Sequence, residues 1–166
     1  MFFLQKSLCF IICLLWFSLG FAGINNPLII NFSKTQYGAA NKNWSISEDE
    51  HGILYFGNDI GLLEFDGIEW KLNKLPKAEV VRSVYAVSNN EIYTGGYEEF
   101  GKWSRQPDGE LTYTSLSKEL PTDNWQNDDI WRILPQGESI YFQSFSGIFR
   151  HHLPTGCLLY TSPSPR

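Results

Sequence analysis

The chain has 166 residues, of which 43% are hydrophobic and 16% aromatic, and a formal net charge of −5. All 18 acidic residues fall between Glu48 and Glu138; against the 11 basic residues that lie inside the two chain ends they leave −7. That balance excludes the basic face a nucleic-acid-binding segment needs, and is ordinary for a soluble exported domain.

Residues 1–22 read as a signal peptide. Lys6 precedes the apolar run Leu8 to Phe17, and Gly20-Phe21-Ala22 supplies small residues at the two positions a signal peptidase reads. The run is shorter than the roughly 20 residues a spanning helix requires. The mature chain is expected to start near Gly23 and to be exported to the periplasm. Cys9 and Cys13 leave with the leader, and Cys157 lies in the last ten residues. No disulfide framework is expected, so burial has to hold the fold together.

A leading segment, 23–43, contains Pro27-Leu-Ile-Ile-Asn-Phe32, expected to be a strand over Leu28 to Phe32 with no partner in this chain. From residue 44 onward the sequence repeats. Leu54-Tyr55-Phe56-Gly57 recurs as Ile92-Tyr93-Thr94-Gly95 and as Ile140-Tyr141-Phe142-Gln143. Each copy follows an apolar run (Trp44-Ser-Ile46, Val84-Tyr-Ala-Val87, Ile130-Trp-Arg-Ile133) and precedes a glycine that opens another pulse, at Gly61, Gly101 and Gly147. The tyrosines are 38 and 48 residues apart, a period that suits four-stranded propeller blades.

The expected fold is therefore all-β. It is an incomplete β-propeller of about two and a half four-stranded antiparallel blades: blade 1 over 44–75, blade 2 over 76–121 and a partial blade 3 over 122–156. In the first blade the strands are read as Trp44 to Ser47, Ile53 to Gly57, Leu62 to Phe65 and Ile68 to Leu72, with Asp66-Gly67 as a two-residue turn. Gln106-Pro-Asp-Gly109 is the last hairpin of the second blade. Leu116 to Leu120 allows one short helical turn, and no sustained helical periodicity occurs elsewhere. The final stretch, Cys157 to Arg166 (CLLYTSPSPR), resembles a transposase-type sequencing adapter translated in frame. It is expected to stand outside the fold, the natural gene continuing near Gly156.

The pattern from Ile46 to Gly67, ISEDEHGILYFGNDIGLLEFDG, resembles the two-component regulator propeller repeat: an inner strand, a D-x-x-G turn, a short aromatic strand, then a G-L-x-x-[FY]-D-G pulse. Together with Pro27-Leu-Ile-Ile-Asn-Phe and Asn43-Trp-Ser-Ile, the likeness extends over residues 27–152 and resembles the amino end of exported sensor regions in Bacteroidetes-type bacteria. It implies further propeller, a β-sandwich, a C-terminal membrane helix absent here, and a histidine kinase or LuxR-type DNA-binding output, assembled as a homodimer. The second copy departs from the pattern with Gly101-Lys and a longer excursion, Gly96 to Phe100; the third has Gln143 in place of glycine.

Two sets of aromatic residues carry different expectations. Trp44, Tyr55, Tyr93, Trp131 and Tyr141 sit on strands and are assigned to packing between blades. The excursion residues Asn58, Asp59, Tyr97, Phe100 and Phe145 lie between strands, where binding groups concentrate; by the family resemblance they would take a carbohydrate or other small ligand. No catalytic residue, metal site or cofactor is expected. Glu48-Asp49-Glu50 and Asp128-Asp129 read as solvated turn charge, His51 as an exposed turn residue, and His151 and His152 as facing opposite sides of a strand. The alternative from another class is an exported propeller enzyme or envelope scaffold.

A terminal blade without its neighbour leaves an apolar face wet. About five exposed large side chains at roughly 1.5–3 kcal/mol each amount to on the order of 10 kcal/mol, comparable with the whole stability of a domain, about 5–15 kcal/mol. Residues 23–156 are expected not to fold cooperatively as a monomer; a sharp thermal transition at low protein concentration contradicts this.

Overall fold

A computed structural model describes residues 28–77, 80–120 and 127–161; the expected signal peptide and the last five residues lie outside them. Residues from Phe32 onward form one compact unit. It opens with a single helical turn, α1 (Lys34–Tyr37), followed by strands β1 (Asn43–Glu48), β2 (Leu54–Asn58), β3 (Gly61–Phe65), β4 (Trp70–Asn73), β5 (Val81–Ser88), β6 (Glu91–Gly96), β7 (Glu99–Arg105), β8 (Leu111–Ser115), β9 (Arg132–Gln136), β10 (Ser139–Gln143), β11 (Ile148–His152) and β12 (Leu158–Thr161). A 3-10 turn at Ser117–Glu119 falls within the stretch expected to form a short helical turn. Consecutive strands pair antiparallel into three four-stranded sheets, β1–β4, β5–β8 and β9–β12. The fold is all-β and propeller-like, with little helix.

Three expectations need correction. The third blade is a complete sheet: Phe149 pairs with Tyr160 and His151 with Leu158, so Leu158–Thr161, from the stretch expected to stand outside the fold, supply its fourth strand. Leu158 and Tyr160 turn to the half-buried side of the strand and Leu159 and Thr161 to solvent, whatever the residues after them encode. Second, Leu28 to Phe32 belong to no strand. The chain instead turns into α1, whose first turn is closed by Gln36 Oε1 accepting from Ser33 N at 2.7 Å, an S-x-x-Q signature. Gly38 ends the turn at φ 64°. Third, Asp66-Gly67 is not a two-residue turn. The Asp66 carboxylate accepts from Ile68 N at 2.8 Å and Glu69 N at 2.7 Å, which takes both residues out of the ladder. β4 starts at Trp70, and Ile68 is exposed.

The sheets pack face on face. Tyr55 and Leu62 of the first meet Val81, Val84, Ala86, Ile92 and Trp103 of the second. Tyr93 and Phe100 of the second meet Ile133, Ile140, Phe142 and Phe149 of the third. Tyr55 and Tyr93 are thus the seam residues expected of them. Burial of each such side chain contributes roughly 1.5–3 kcal/mol. Polar bonds fix the register: Ala86 N donates to Ser47 Oγ at 3.0 Å and Ser83 Oγ to the Ile130 carbonyl at 2.9 Å. At the far end of the first seam, Arg105 Nη2 donates to Glu64 Oε1 at 2.7 Å and to the Tyr55 hydroxyl at 3.0 Å. Tyr55 in turn donates to Asp49 Oδ2 at 3.1 Å. Burial, then the neighbouring Glu64 carboxylate, push the Tyr55 phenol up, so it stays a donor.

The recurring glycine of the repeat has a steric cause. A β-carbon on Gly57 would lie 2.7 Å from the Val81 carbonyl oxygen, and one on Gly95 2.4 Å from Ile130 Cγ2. At both sites the chain leading into the next blade crosses directly over the glycine.

The outer side of the first sheet is covered by the N-terminal arm. Phe32 sits edge-on to Phe65 at 5.1 Å and to Trp70 at 5.2 Å, Tyr37 lies 5.7 Å from Trp70, and Trp70 stacks on Phe65 at 4.3 Å.

Gly95→Ala is expected to lower stability by about 1–3 kcal/mol through overpacking against Ile130, whereas Gly109→Ala, which meets nothing within 4 Å, acts only through its φ of 86°. Urea unfolding monitored by circular dichroism checks this; an unshifted midpoint for Gly95→Ala contradicts the steric account.

Candidate functional site

One end of the sheets gathers the hairpins β2–β3, β6–β7 and β10–β11 and the starts of the inner strands β1, β5 and β9. The first two hairpins pair Asn58 with Gly61 and Gly96 with Glu99, so each turn holds two residues. The second is therefore no longer than the first. Glu98 adopts φ 50° to close it, and Glu99 and Phe100 already belong to β7. In the third, Gln143 pairs with Ile148, and Ser144 N donates to the Gly147 carbonyl at 2.9 Å. Asp59, Tyr97 and Phe145 thereby occupy the same first tip position in three successive blades.

Beneath the tips, the inner strands begin irregularly. β1 shifts register between Asn43 and Ser45, and β5 between Val81 and Ser83. The extra residues are Trp44 and Arg82; Trp131, just before β9, is their counterpart in the third repeat. A bulge re-aims a side chain, and these three side chains meet. The Arg82 guanidinium lies 3.9 Å from the centre of the Trp44 ring and 5.6 Å from that of Trp131, within cation–π range. Trp44 Nε1 donates to Asp59 Oδ1 at 2.7 Å, and Arg82 Nε to Asp129 Oδ1 at 3.4 Å. Phe145 stands edge-on to Trp131 at 5.5 Å, and the Tyr97 hydroxyl donates to Asn127 Oδ1 at 2.9 Å.

Of the five expected ligand residues, three remain on this surface. Phe145 is 81% exposed and Tyr97 exposed, while Asp59 is half-buried and engaged with Trp44. Partial desolvation and the carboxylates of Glu98 and Asp129 push the Tyr97 phenol up, leaving it a donor at neutral pH. The other two are scaffold. Phe100 is fully buried in the second seam because its strand starts earlier than the glycine spacing suggests. Asn58 is fully buried and ties the arm to the first blade: its Oδ1 accepts from Ala40 N at 3.1 Å, and its Nδ2 donates to the carbonyls of Ala40 at 2.8 Å and Lys42 at 3.0 Å.

Trp44 and Trp131, assigned to packing by sequence, are 41% and 42% exposed; the bulge in β1 turns Trp44 out of the seam, and Trp131 lies just before β9 begins. Tyr141 is only half-buried. Arg82 escapes the sequence reading. Counting 11 residues back from Tyr55 and from Tyr93 gives Trp44 and Arg82, a signal that finds Arg82; Trp131 lies 10 before Tyr141 and joins them only through the pairing of Arg132 with Gln143.

The carboxylate pair Asp128-Asp129 is not solvated turn charge. Asp128 is buried and accepts from Ser146 Oγ at 2.6 Å, Ser146 N at 2.8 Å and Phe145 N at 3.2 Å. Burial opposes its ionisation, but the Ser146 and Phe145 donors prevail and hold its carboxyl below the usual carboxylate range. Asp128 therefore builds the Phe145 hairpin. Asp49, Glu50 and His51 bring one ligand atom each within 4.8 Å of one another, but Asp49 is already committed to Tyr55 and to the amides of His51 and Ile53. His151 is buried, with its neighbour His152 half-buried, as alternation on a strand requires.

No protein-family model and no curated protein matches the sequence. Among solved structures, the chain is similar to the extracellular domain of the putative one component system BT4673 from B. thetaiotaomicron, with a TM-score of 0.56 and 15% identity over 75% of this chain and 16% of that one. A second structure, described as the extracellular domain of the putative hybrid two component system BT4673 from the same organism, gives a TM-score of 0.54 and 16% identity over 72% of this chain. At such identity the likeness establishes the fold. This chain spans 16% and 15% of the length of those two. Among the described residues no helix is long and apolar enough to cross a membrane.

The depressed Asp128 carboxyl makes a signed prediction. Its stabilisation is fully present above the unfolded value of about 3.9 and is lost as pH falls through the lower folded value. Asp128→Asn should reduce stability at pH 7 and flatten the acid limb of the stability–pH curve below pH ~4; parallel limbs for variant and parent contradict this.

Proposed function

We propose that this chain is part of a ligand-sensing extracytoplasmic β-propeller of a signal-transduction regulator, and that its end surface at Trp44, Arg82 and Trp131 takes a carbohydrate or similar small nutrient. The observation that carries the reading is the repeat-matched Trp–Arg–Trp row, its two indoles exposed and Arg82 half-buried between them, beside Phe145 and Tyr97. Aromatic faces stack on the apolar C–H faces of a sugar ring. The polar atoms of Arg82, Asp59, Asp129 and Tyr97 are spaced between them to exchange hydrogen bonds with hydroxyls, the mixture of apolar wall and few fixed polar groups that suits small ligands. Support comes from the fold shared with the two extracellular domains, which belong to systems described as one- and two-component. On this reading the segment is exported and not itself an enzyme. Ligand binding biases packing towards downstream domains, a membrane helix and a kinase or DNA-binding output, in a dimer.

The site contains two tryptophans, so binding is readable in intrinsic fluorescence. Titration with a panel of neutral and acidic oligosaccharides should give a saturable change, and Trp131→Ala and Phe145→Ala should each weaken the best binder by on the order of tenfold, equivalent to about 1.4 kcal/mol. Full affinity in both variants would move the site elsewhere; absence of any saturable glycan would remove the carbohydrate assignment.

A further inference from the structure

Strand pairing fixes which residues occupy matching places in the three sheets. Phe65 opposite Leu54, Trp103 opposite Ile92 and His151 opposite Ile140 stand at one position, and all three are buried. Phe65 stacks on Trp70, Trp103 fills the first seam, and His151 lies in the second seam, its ring 5.9 Å from that of Tyr93. Two of the three carry no titratable group; the third takes a proton. The surroundings differ in the same sense. Trp103 Nε1 donates to Thr94 Oγ1 at 2.9 Å. The residue that matches Thr94 in the third sheet is Phe142, which offers no acceptor, and the buried Nδ1 of His151 has no hydrogen-bond partner among the described residues. A neutral imidazole fits this place as an aromatic ring. An imidazolium would put a charge there, with a buried N–H left unpaired.

The groups facing His151 are Glu91 and Tyr93 on β6, Lys102 on β7, Glu119 of the 3-10 turn, and His152 on its own strand. Glu91 already accepts from the Tyr93 hydroxyl. Burial, then the Lys102 ammonium, hold His151 below the ordinary histidine value, and the pull of Glu119 and Glu91 does not reverse this. We propose that the second seam is an acid-sensitive joint: a proton on His151 loosens the third sheet from the second, while the first seam, built on Trp103, stays closed. Folded His151 binds fewer protons than the unfolded chain between its lowered value and about 6.5. Its contribution to the seam is therefore complete above about pH 6.5 and is lost as pH falls through the folded value. The joint runs through the candidate site. Arg82 stands on the second sheet, and Trp131 and Phe145 move with the third, so acid takes the Trp–Arg–Trp row apart.

The test uses the full chain, labelled with fluorotryptophan for NMR. Between about pH 7 and about pH 5 its urea midpoint should fall, and that of His151→Phe, which places at this position the ring found at Phe65, should stay level. Over the same interval the Trp131 fluorine signal, assigned with Trp131→Phe, should shift or broaden while that of Trp103 holds still. A midpoint that falls equally in parent and variant would overturn the proposal, as would Trp103 and Trp131 changing together, the mark of general acid unfolding. Should His151→Phe fail to fold, the imidazole protons of His151 titrated in the parent decide: a midpoint below about 6.5 supports the joint, and one at or above it overturns it.

Discussion

The close approach of one blade's lead-in chain to the second strand of the blade before it is the constraint on which the rest depends. Gly57 and Gly95 have no β-carbon where Val81 and Ile130 cross, and this lets Tyr55 and Tyr93 sink fully into the seams. The hydroxyls of Ser47 and Ser83 then meet backbone groups of the next blade. A larger residue at either site would hold the sheets apart and leave both the apolar contacts and the hydroxyl bonds short. Burial supplies most of the stabilisation; the glycines set the distance at which it can act.

The candidate site lies at the end of the sheets where the inner strands begin. The ladder carries a register shift there at Trp44 and at Arg82. Residues at the bulge cannot point into the seam, so they collect at the end of the sheets, where Arg82 lies between two indole rings. Exposure of large aromatic groups there follows from local backbone geometry, at the strand starts for the indoles and at the hairpin tips for Tyr97 and Phe145.

Much of this is legible in the sequence because period and turn chemistry are local. Three copies of a Tyr-centred strand locate β2, β6 and β10, and Gln106-Pro-Asp-Gly109 locates the β7–β8 hairpin, closed by Gly109 N donating to the Gln106 carbonyl at 2.9 Å. Sequence reasoning fails where register is needed. Taking Gly101 as the partner of Gly61 lengthens a turn that the structure keeps at two residues with Glu98 at positive φ, and so mistakes Phe100 for a loop residue. Asn58 has the look of a binding residue because it is polar and adjoins a turn, but its bonds to Ala40 and Lys42 are long-range and invisible locally. Arg82 shares a repeat position with two tryptophans, and its chemistry differs enough from theirs to hide the match. The strand at Leu158–Thr161 is set aside for what its sequence resembles, although its short apolar run pairs with Ile148 to His151.

The three hairpin tips share one backbone position and carry three unlike side chains, the carboxylate of Asp59, the phenol of Tyr97 and the phenyl ring of Phe145. The turns themselves are closed by main-chain bonds, by Asp128 and by the conformation of Glu98, and the tip side chains reach only neighbouring surface groups, Trp44, Asn127 and Trp131. Selection can therefore rewrite acidity, hydrogen bonding or greasiness at each vane separately. On the proposed reading, single substitutions at the tips would give the end surface new chemical tastes while the seams that hold the sheets together stay as they are.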